Sequence, residues 1–252
     1  MRILLIMMMF FGLSLPMLEA GQNETNTSNK PFALVELFAS EGCSSCPPAD
    51  DLLMRLDQDA RQHTKNVFLL SFEVDYWDYL GWKDPYSLPA FTQRQHQYAQ
   101  ALNSNSVYTP QMIINGVDGF VGSDASKARK YIEQYLNTPS LNSITLEIQS
   151  IAPQKIEIKY QCEQWLPDIV LNIALVERKA QSQVTAGENS GRLLKHVNVV
   201  RDFKTIAFKE KEGQVVIESS FVVDPERYLI IAYLQEVKTM KIITANSVPI
   251  KQ

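Results

Sequence analysis

The 252-residue sequence predicts an α/β domain followed by a β-sandwich-like C-terminal domain. Three observations carry that expectation. Residues 31–138 alternate short apolar runs with segments of helical period, in the order β-α-β-α-β-β-α. Between the first run and the first helical segment lies Cys43-Ser44-Ser45-Cys46-Pro47, a dithiol at the start of a helix. After Thr138-Pro139-Ser140 the helical period disappears, and six alternating apolar runs follow within 141–252.

Taken in order, Arg2, the apolar run from Ile3 to about Leu15, Pro16 and Ala20 read as a secretory signal peptide over 1–20. That core is too short to cross a bilayer comfortably, and no later segment approaches the roughly 18 to 20 apolar residues a span needs. The mature chain is therefore expected to be periplasmic or secreted, with no membrane span once the signal is removed. Residues 21–30 form a polar, flexible leader whose Asn-x-Ser/Thr triplets, at Asn23 and Asn26, are what such a composition produces by chance.

A first strand is expected at 32–38, then the Cys-x-x-Cys turn and a helix near 48–62 with Leu52, Leu53 and Leu56 on one side. A strand at 67–74 leads into an aromatic-rich connection and a helix around 88–102. Thr109-Pro110 precedes a strand at 111–115, and Asn115-Gly116 favours a tight turn that returns Phe120-Val121 antiparallel. Ser123 is expected to cap a helix from Asp124 to about Leu136. The later strands are expected at 144–149, 155–160, 169–177, 197–208, 215–221 and 228–237.

Composition excludes several function classes. A formal net charge of -4 gives no basic face for nucleic acid. Three cysteines cannot staple a chain of this length, so its 45% hydrophobic content must supply stability by burial. No cofactor is expected. Zinc would need four N/S ligands, and Cys162, His63, His96 and His196 offer no second paired spacing beside Cys43 and Cys46, so no metal site is expected. Copper(I) would suit soft thiolates but lacks a nearby histidine or methionine.

The dithiol is open to a redox reading, a structural disulfide or half of a metal site. A helix dipole with unpaired amides would stabilise a thiolate on the first cysteine, whereas Glu41 beside it would work the other way. Phe72 to Trp82 holds two tryptophans, two tyrosines and two aspartates in eleven residues. Trp77 and Trp82 are candidates for the walls of a client-binding groove; alternatively the segment is a satellite core with Asp75 and Asp78 capping turns. The loop 187–196 is long for a hairpin, and docking against the dithiol face is one expectation for it, a plain surface loop the other. Cys162 is expected to be a buried small hydrophobe.

The strand, Cys-x-x-Cys, helix order and Thr109-Pro110 before a hairpin resemble the thioredoxin superfamily over roughly 31–138. That resemblance implies a cis bond at Pro110, Cys43 as exposed nucleophile, Cys46 as buried resolving thiol, and Tyr108, Thr109 and Pro110 lining the substrate groove. Thioredoxin buries an acid six positions before the first cysteine, where this chain has Leu37; the neighbouring Glu36 is a candidate proton acceptor for Cys46, or else pairs with a lysine near a strand edge. More narrowly, residues 35–50, 75–82 and 108–111 resemble domain-of-unknown-function family 1223, exported bacterial proteins with a thioredoxin-like domain. The function these readings imply is an exported thiol-disulfide oxidoreductase acting on protein or peptide thiols, recharged by a separate redox partner. The alternative is a non-catalytic partner-binding module with a structural disulfide.

Overall fold

A computed structural model describes residues 30–250. The expected signal peptide and nearly all of the leader lie outside the described residues. The first half comprises β1 (Ala33–Ala39), α1 (Pro47–Gln62), β2 (Val67–Glu73), α2 (Pro89–Ala101), β3 (Gln111–Ile114), β4 (Asp118–Val121) and α3 (Ala125–Leu136). The second half is all strand: β5 (Ile144–Ala152), β6 (Lys155–Cys162), β7 (Ile169–Gln183), β8 (Leu193–Ala207), β9 (Glu212–Glu218), β10 (Tyr228–Glu236) and β11 (Ile242–Pro249).

These strands form a mixed eight-stranded sheet, ordered β11-β10-β7-β8-β2-β1-β3-β4, and a three-stranded sheet, β5-β6-β9. The junction within the large sheet is β2 against β8, parallel, at Ser71 opposite Val199. The chain crossing near residue 140 therefore does not interrupt the sheet. β1 is an inner strand, parallel to β2 and antiparallel to β3.

Local chemistry accounts for the elements. On α1, Leu52, Leu53, Leu56 and Ala60 turn inward, and on α2 Phe91, Arg94, Gln95 and Tyr98 do so. Asn115 and Gly116 take φ of 48° and 72°, as the β3–β4 hairpin requires. Gly116 has a second reason to be glycine, since a Cβ there would stand 1.9 Å from the Met240 carbonyl oxygen. Asp124, rather than Ser123, caps α3, its carboxylate accepting from the Lys127 amide at 3.0 Å.

Both faces of β1 are buried, so alternate residues enter different cores. Leu34 and Phe38 join Phe72, Phe91, Tyr98 and Tyr233. Leu37 and Ala39 join Cys43, Cys46, Leu52, Met112 and Val197. A third core lies between the small sheet and the outer strands of the large one, uniting Ile156, Ile158 and Ile217 with Leu171, Ile173 and Ile230. This is the sandwich-like part, and one of its two layers is the continuation of the α/β sheet.

Two departures from expectation matter. β7 and β8 run 15 residues each and project a hairpin tip beyond the sheet. β11 was not expected; Asn246 and Ser247 in its middle are poor strand formers, and pairing with β10 overrides that preference.

Candidate functional site

After β1 the chain turns tightly, the Cys43 amide donating to the Ser40 carbonyl at 3.1 Å. Cys46 occupies the N-cap of α1 and is disulfide-bonded to Cys43, with Cα atoms 5.5 Å apart. Few amides are left free at this helix start. Pro47 and Pro48 have none, Ala49 and Asp50 donate to the Cys46 carbonyl, Cys46 donates to Cys43, and Ser44 donates to the Glu188 carboxylate at 3.0 Å. The macrodipole is thus the part of the expected thiolate stabilisation that remains.

Cys43 is fully buried, like Cys46, whereas Ser44 and Ser45 are exposed. The expected exposed nucleophile is therefore buried, and the tip of the β7–β8 hairpin lies against the backbone of its turn. Asn189, itself buried, donates through Nδ2 to the carbonyls of Glu41 at 2.9 Å and Cys43 at 3.0 Å. Arg192 holds the Asn189 Oδ1 at 2.8 Å. The loop expected at 187–196 does dock on the dithiol face.

The other predicted groove residues gather here. The Thr109–Pro110 bond is cis. A Cβ on Gly122 would stand 3.0 Å from Pro110 Cβ and 3.3 Å from Ala49 Cβ, which sets the cis-proline beside the first turn of α1. Trp77 donates its indole N–H to Thr109 Oγ1 at 2.7 Å, and its Cβ would stand 3.0 Å from a Cβ on Gly42. Trp77 thereby links the cysteine turn to the proline loop. Trp82 donates to Glu41 Oε2 at 2.9 Å and lies under Gly187 of the hairpin tip. Tyr108 is half-buried and its carbonyl accepts from Gln95 at 2.8 Å. Asp75 and Asp78 hold the insert's turns, accepting from Thr92 at 2.5 Å and Ser87 at 2.9 Å.

Around the first turn of α1 the structure assembles a group of residues that the sequence reading did not join. His196, Glu41, Asp50, Glu73 and Asp84 are all buried. His196 sits between two carboxylates, Nε2 at 3.1 Å from Glu41 Oε1 and Nδ1 at 3.3 Å from Asp50 Oδ1. Asp84 accepts from the amides of Glu41 and Tyr86, each at 2.8 Å. Burial, followed by the Glu41 charge, pushes the Asp84 carboxyl up to about 7. Burial, then the Asp84 charge, pushes Glu73 well above the carboxylate range. For His196 burial acts downward, but Asp50 and Glu41 outweigh it and hold the imidazole well above its ordinary value. Sequence carried a signal for two of these: Asp50 falls on the apolar stripe of α1, and Glu73 alternates with Ser71 and Leu69 on one face of a strand buried on both.

Glu36 requires correction. It points to the opposite face of β1 from the cysteines, where its carboxylate accepts from Arg94 Nε at 2.8 Å, Tyr233 at 2.9 Å and Tyr98. Strand alternation excludes it as proton acceptor for Cys46. Its partner is a buried arginine from α2 rather than an edge lysine. Cys162 is buried in the sandwich core, and that burial pushes its thiol up to about 12.

The family model for proteins of unknown function, DUF1223, matches residues 34–235. No curated protein matches the chain. A crystal structure of a protein from Agrobacterium tumefaciens is similar with a TM-score of 0.69 and 26% identity, over 87% of this chain and 95% of that one. HBP35 of Porphyromonas gingivalis is similar in fold, with a TM-score of 0.60 and 12% identity over 87% of this chain and 75% of its own.

Proposed function

We propose that this chain, which belongs to the DUF1223 family of proteins of unknown function, is an exported thiol-disulfide oxidoreductase of thioredoxin-like build. The observation that carries the reading is the Cys43–Cys46 disulfide at the start of α1 with the cis Thr109–Pro110 bond beside it. A disulfide with a purely structural task has no need of that proline or of the tryptophan that ties it to Gly42. The arrangement β2-β1-β3-β4, with β1 an inner strand and a hairpin after the proline, supports the thioredoxin-like assignment. Export is supported by the charged and apolar character of residues 1–20, and the Cys43–Cys46 disulfide accords with an oxidising compartment. Among the described residues no helix is long and apolar enough to cross a membrane.

In the oxidised state a client thiolate attacks Cys43 Sγ and Cys46 leaves as thiolate; a second client thiol then displaces Cys43, giving a client disulfide and a reduced dithiol. Two electrons pass to the protein, and a separate redox partner must remove them. The reverse exchange reduces a client. Either direction requires Cys43, which is buried, to become exposed, and residues 184–192 lie against the backbone of its turn. Backbone beside Pro110 and the half-buried rings of Trp77, Trp82 and Tyr108 would then receive an extended peptide.

The burial of both cysteines favours a second reading, a partner-binding module with a structural disulfide. Equilibrating the mature protein in thiol buffers and trapping free thiols separates the two. A reduction potential within about -120 to -270 mV is expected for an exchange enzyme, whereas a value below about -300 mV would establish the structural reading. The Cys43→Ser variant should lose turnover of a peptide disulfide and retain its fold.

A further inference from the structure

We propose that Asp50, Glu73 and His196 bind one divalent transition-metal cation, with Zn²⁺ as its representative, where their donor atoms converge at the first turn of α1. This goes beyond the thiol-exchange reading and uses neither cysteine. One donor atom from each of the three residues lies within 4.8 Å of the other two, and all three residues are buried. The Asp50 Oδ1 to His196 Nδ1 separation of 3.3 Å is long for a charged hydrogen bond. It equals the edge, about 3.3 Å, of a tetrahedron with metal–ligand bonds of about 2.0–2.1 Å.

Three further observations point the same way. Glu73 places one oxygen on Ser71 Oγ at 2.8 Å, and its other oxygen, Oε2, is fully buried without a partner. An orphan carboxylate oxygen among other acids is costly to bury unless a cation or proton meets it. His196 is oriented from behind: Nε2 lies 3.1 Å from Glu41 Oε1, and Glu41 is held by the Trp82 indole at 2.9 Å. With Nε2 donating to that carboxylate, a cation that displaces the proton from Nδ1 would meet an imidazole already oriented from its distal nitrogen, the usual support of a metal-bound histidine. Finally, the balance of charge is uneven. Glu41, Asp50, Glu73 and Asp84 face a single imidazole, and among the described residues no lysine or arginine forms an ion pair with any of them. A dication would correct that excess, and an imidazole beside carboxylates suits zinc better than calcium or magnesium. Sequence spacing could not show the site, because His196 lies 146 residues from Asp50.

The test uses the mature, full chain with its disulfide intact, verified by the absence of reactive thiol, so that a reduced dithiol cannot bind the metal instead. After chelator treatment, calorimetric titration with Zn²⁺ alone should show one site per chain, and Co²⁺ should give the visible bands of a low-symmetry N/O site. Asp50→Asn and Glu73→Gln should each weaken Zn²⁺ binding at least tenfold, while a Cys43→Ser/Cys46→Ser double variant should bind as the parent does. Absence of stoichiometric binding to the wild-type protein would overturn the site whatever the variants do. Binding unchanged by both carboxylate variants, or lost in the cysteine variant, would overturn the ligand assignment. Thiol exchange is read separately from the reduction potential, so failure here leaves that reading standing.

Discussion

The protein buries charge on both sides of β1, and the two groups are built differently. On one face Glu36 meets Arg94, and no side-chain atom of Glu36, Arg94, Tyr98, Tyr233 or Gln235 is among the buried polar atoms that lack a partner. Arg94 also donates to Tyr98 at 3.0 Å and Gln235 at 3.1 Å, and its guanidinium lies over the rings of Phe203 and Tyr98 at 4.9 and 5.0 Å. On the other face four carboxylates share one imidazole, and Glu73 Oε2 has no partner. Charge balance distinguishes their roles. A balanced, saturated network ties α2, β1 and β10 together and has no remaining capacity. An unbalanced one beside the Cys43–Cys46 disulfide can take up a proton or a cation, and that capacity is what a site requires.

The largest test of this contrast removes the cation from the balanced side. Arg94→Met leaves the Glu36 carboxylate buried and uncompensated, and should cost about 3–5 kcal/mol in urea unfolding. A loss below about 1 kcal/mol would mean that the tyrosines alone satisfy Glu36 and that the balance is incidental.

The second test is pH. Asp84 titrates at about 7 in the folded chain against 3.8 as its reference, so the unfolded chain releases this proton first. Its contribution is complete below about 4 and is lost as pH rises toward 7. His196, also raised, contributes below its reference of 6.5 and loses that contribution as pH climbs through its folded value. Both act in one direction, so chelator-treated protein should be more stable at pH 5 than at pH 8, with each group limiting the slope to about 1.4 kcal/mol per pH unit. Stability that rises over this interval would contradict the excess of buried acid. The Arg94 variant should retain the same pH profile, because its defect lies on the other face.

Smaller in free energy, but local to the disulfide, is Asn189→Ala. It deletes the two hydrogen bonds to Glu41 and Cys43 and should cost about 1–3 kcal/mol. If the hairpin tip is what shields Cys43, reduction by a water-soluble phosphine should accelerate about tenfold for each 1.4 kcal/mol by which opening becomes easier. An unchanged rate would show that exposure of the disulfide is set elsewhere.

Much of the first half was legible because its signals are local. The apolar stripe of α1, the turn chemistry of Asn115-Gly116 and the Cys-x-x-Cys spacing each depend on a few neighbouring residues. The aromatic cluster is local too: Trp77 and Trp82 stand close in sequence, and both lie against the turn that carries the cysteines. What could not be read is whatever depends on strand pairing across the chain. The β2–β8 junction brings His196 to Asp50 and Glu73, and no local pattern encodes it. Glu36 shows the same division. Period-2 alternation sets it on the face opposite Leu37, but its partners, Arg94 from α2 and Tyr233 from β10, come from packing and pairing across the chain.

Glu73→Gln makes the last and smallest contrast. On the saturated face, deleting a charge breaks a pair. On the crowded face, deleting one relieves repulsion from Asp84 and Asp50 while the amide oxygen can still accept from Ser71. Burial and the neighbouring Asp84 charge push the Glu73 carboxyl upward, which favours an uncharged side chain at this position, so an isosteric amide loses little. Unfolding of the chelator-treated variant at pH 8 should therefore show no loss, or a gain of up to about 1 kcal/mol. With Zn²⁺ in excess the order should invert, because wild type gains the stabilisation that comes from binding the folded state and the variant does not. A loss of several kcal/mol without metal would instead place Glu73 in a saturated network like that of Glu36, and the two faces would differ in composition but not in kind.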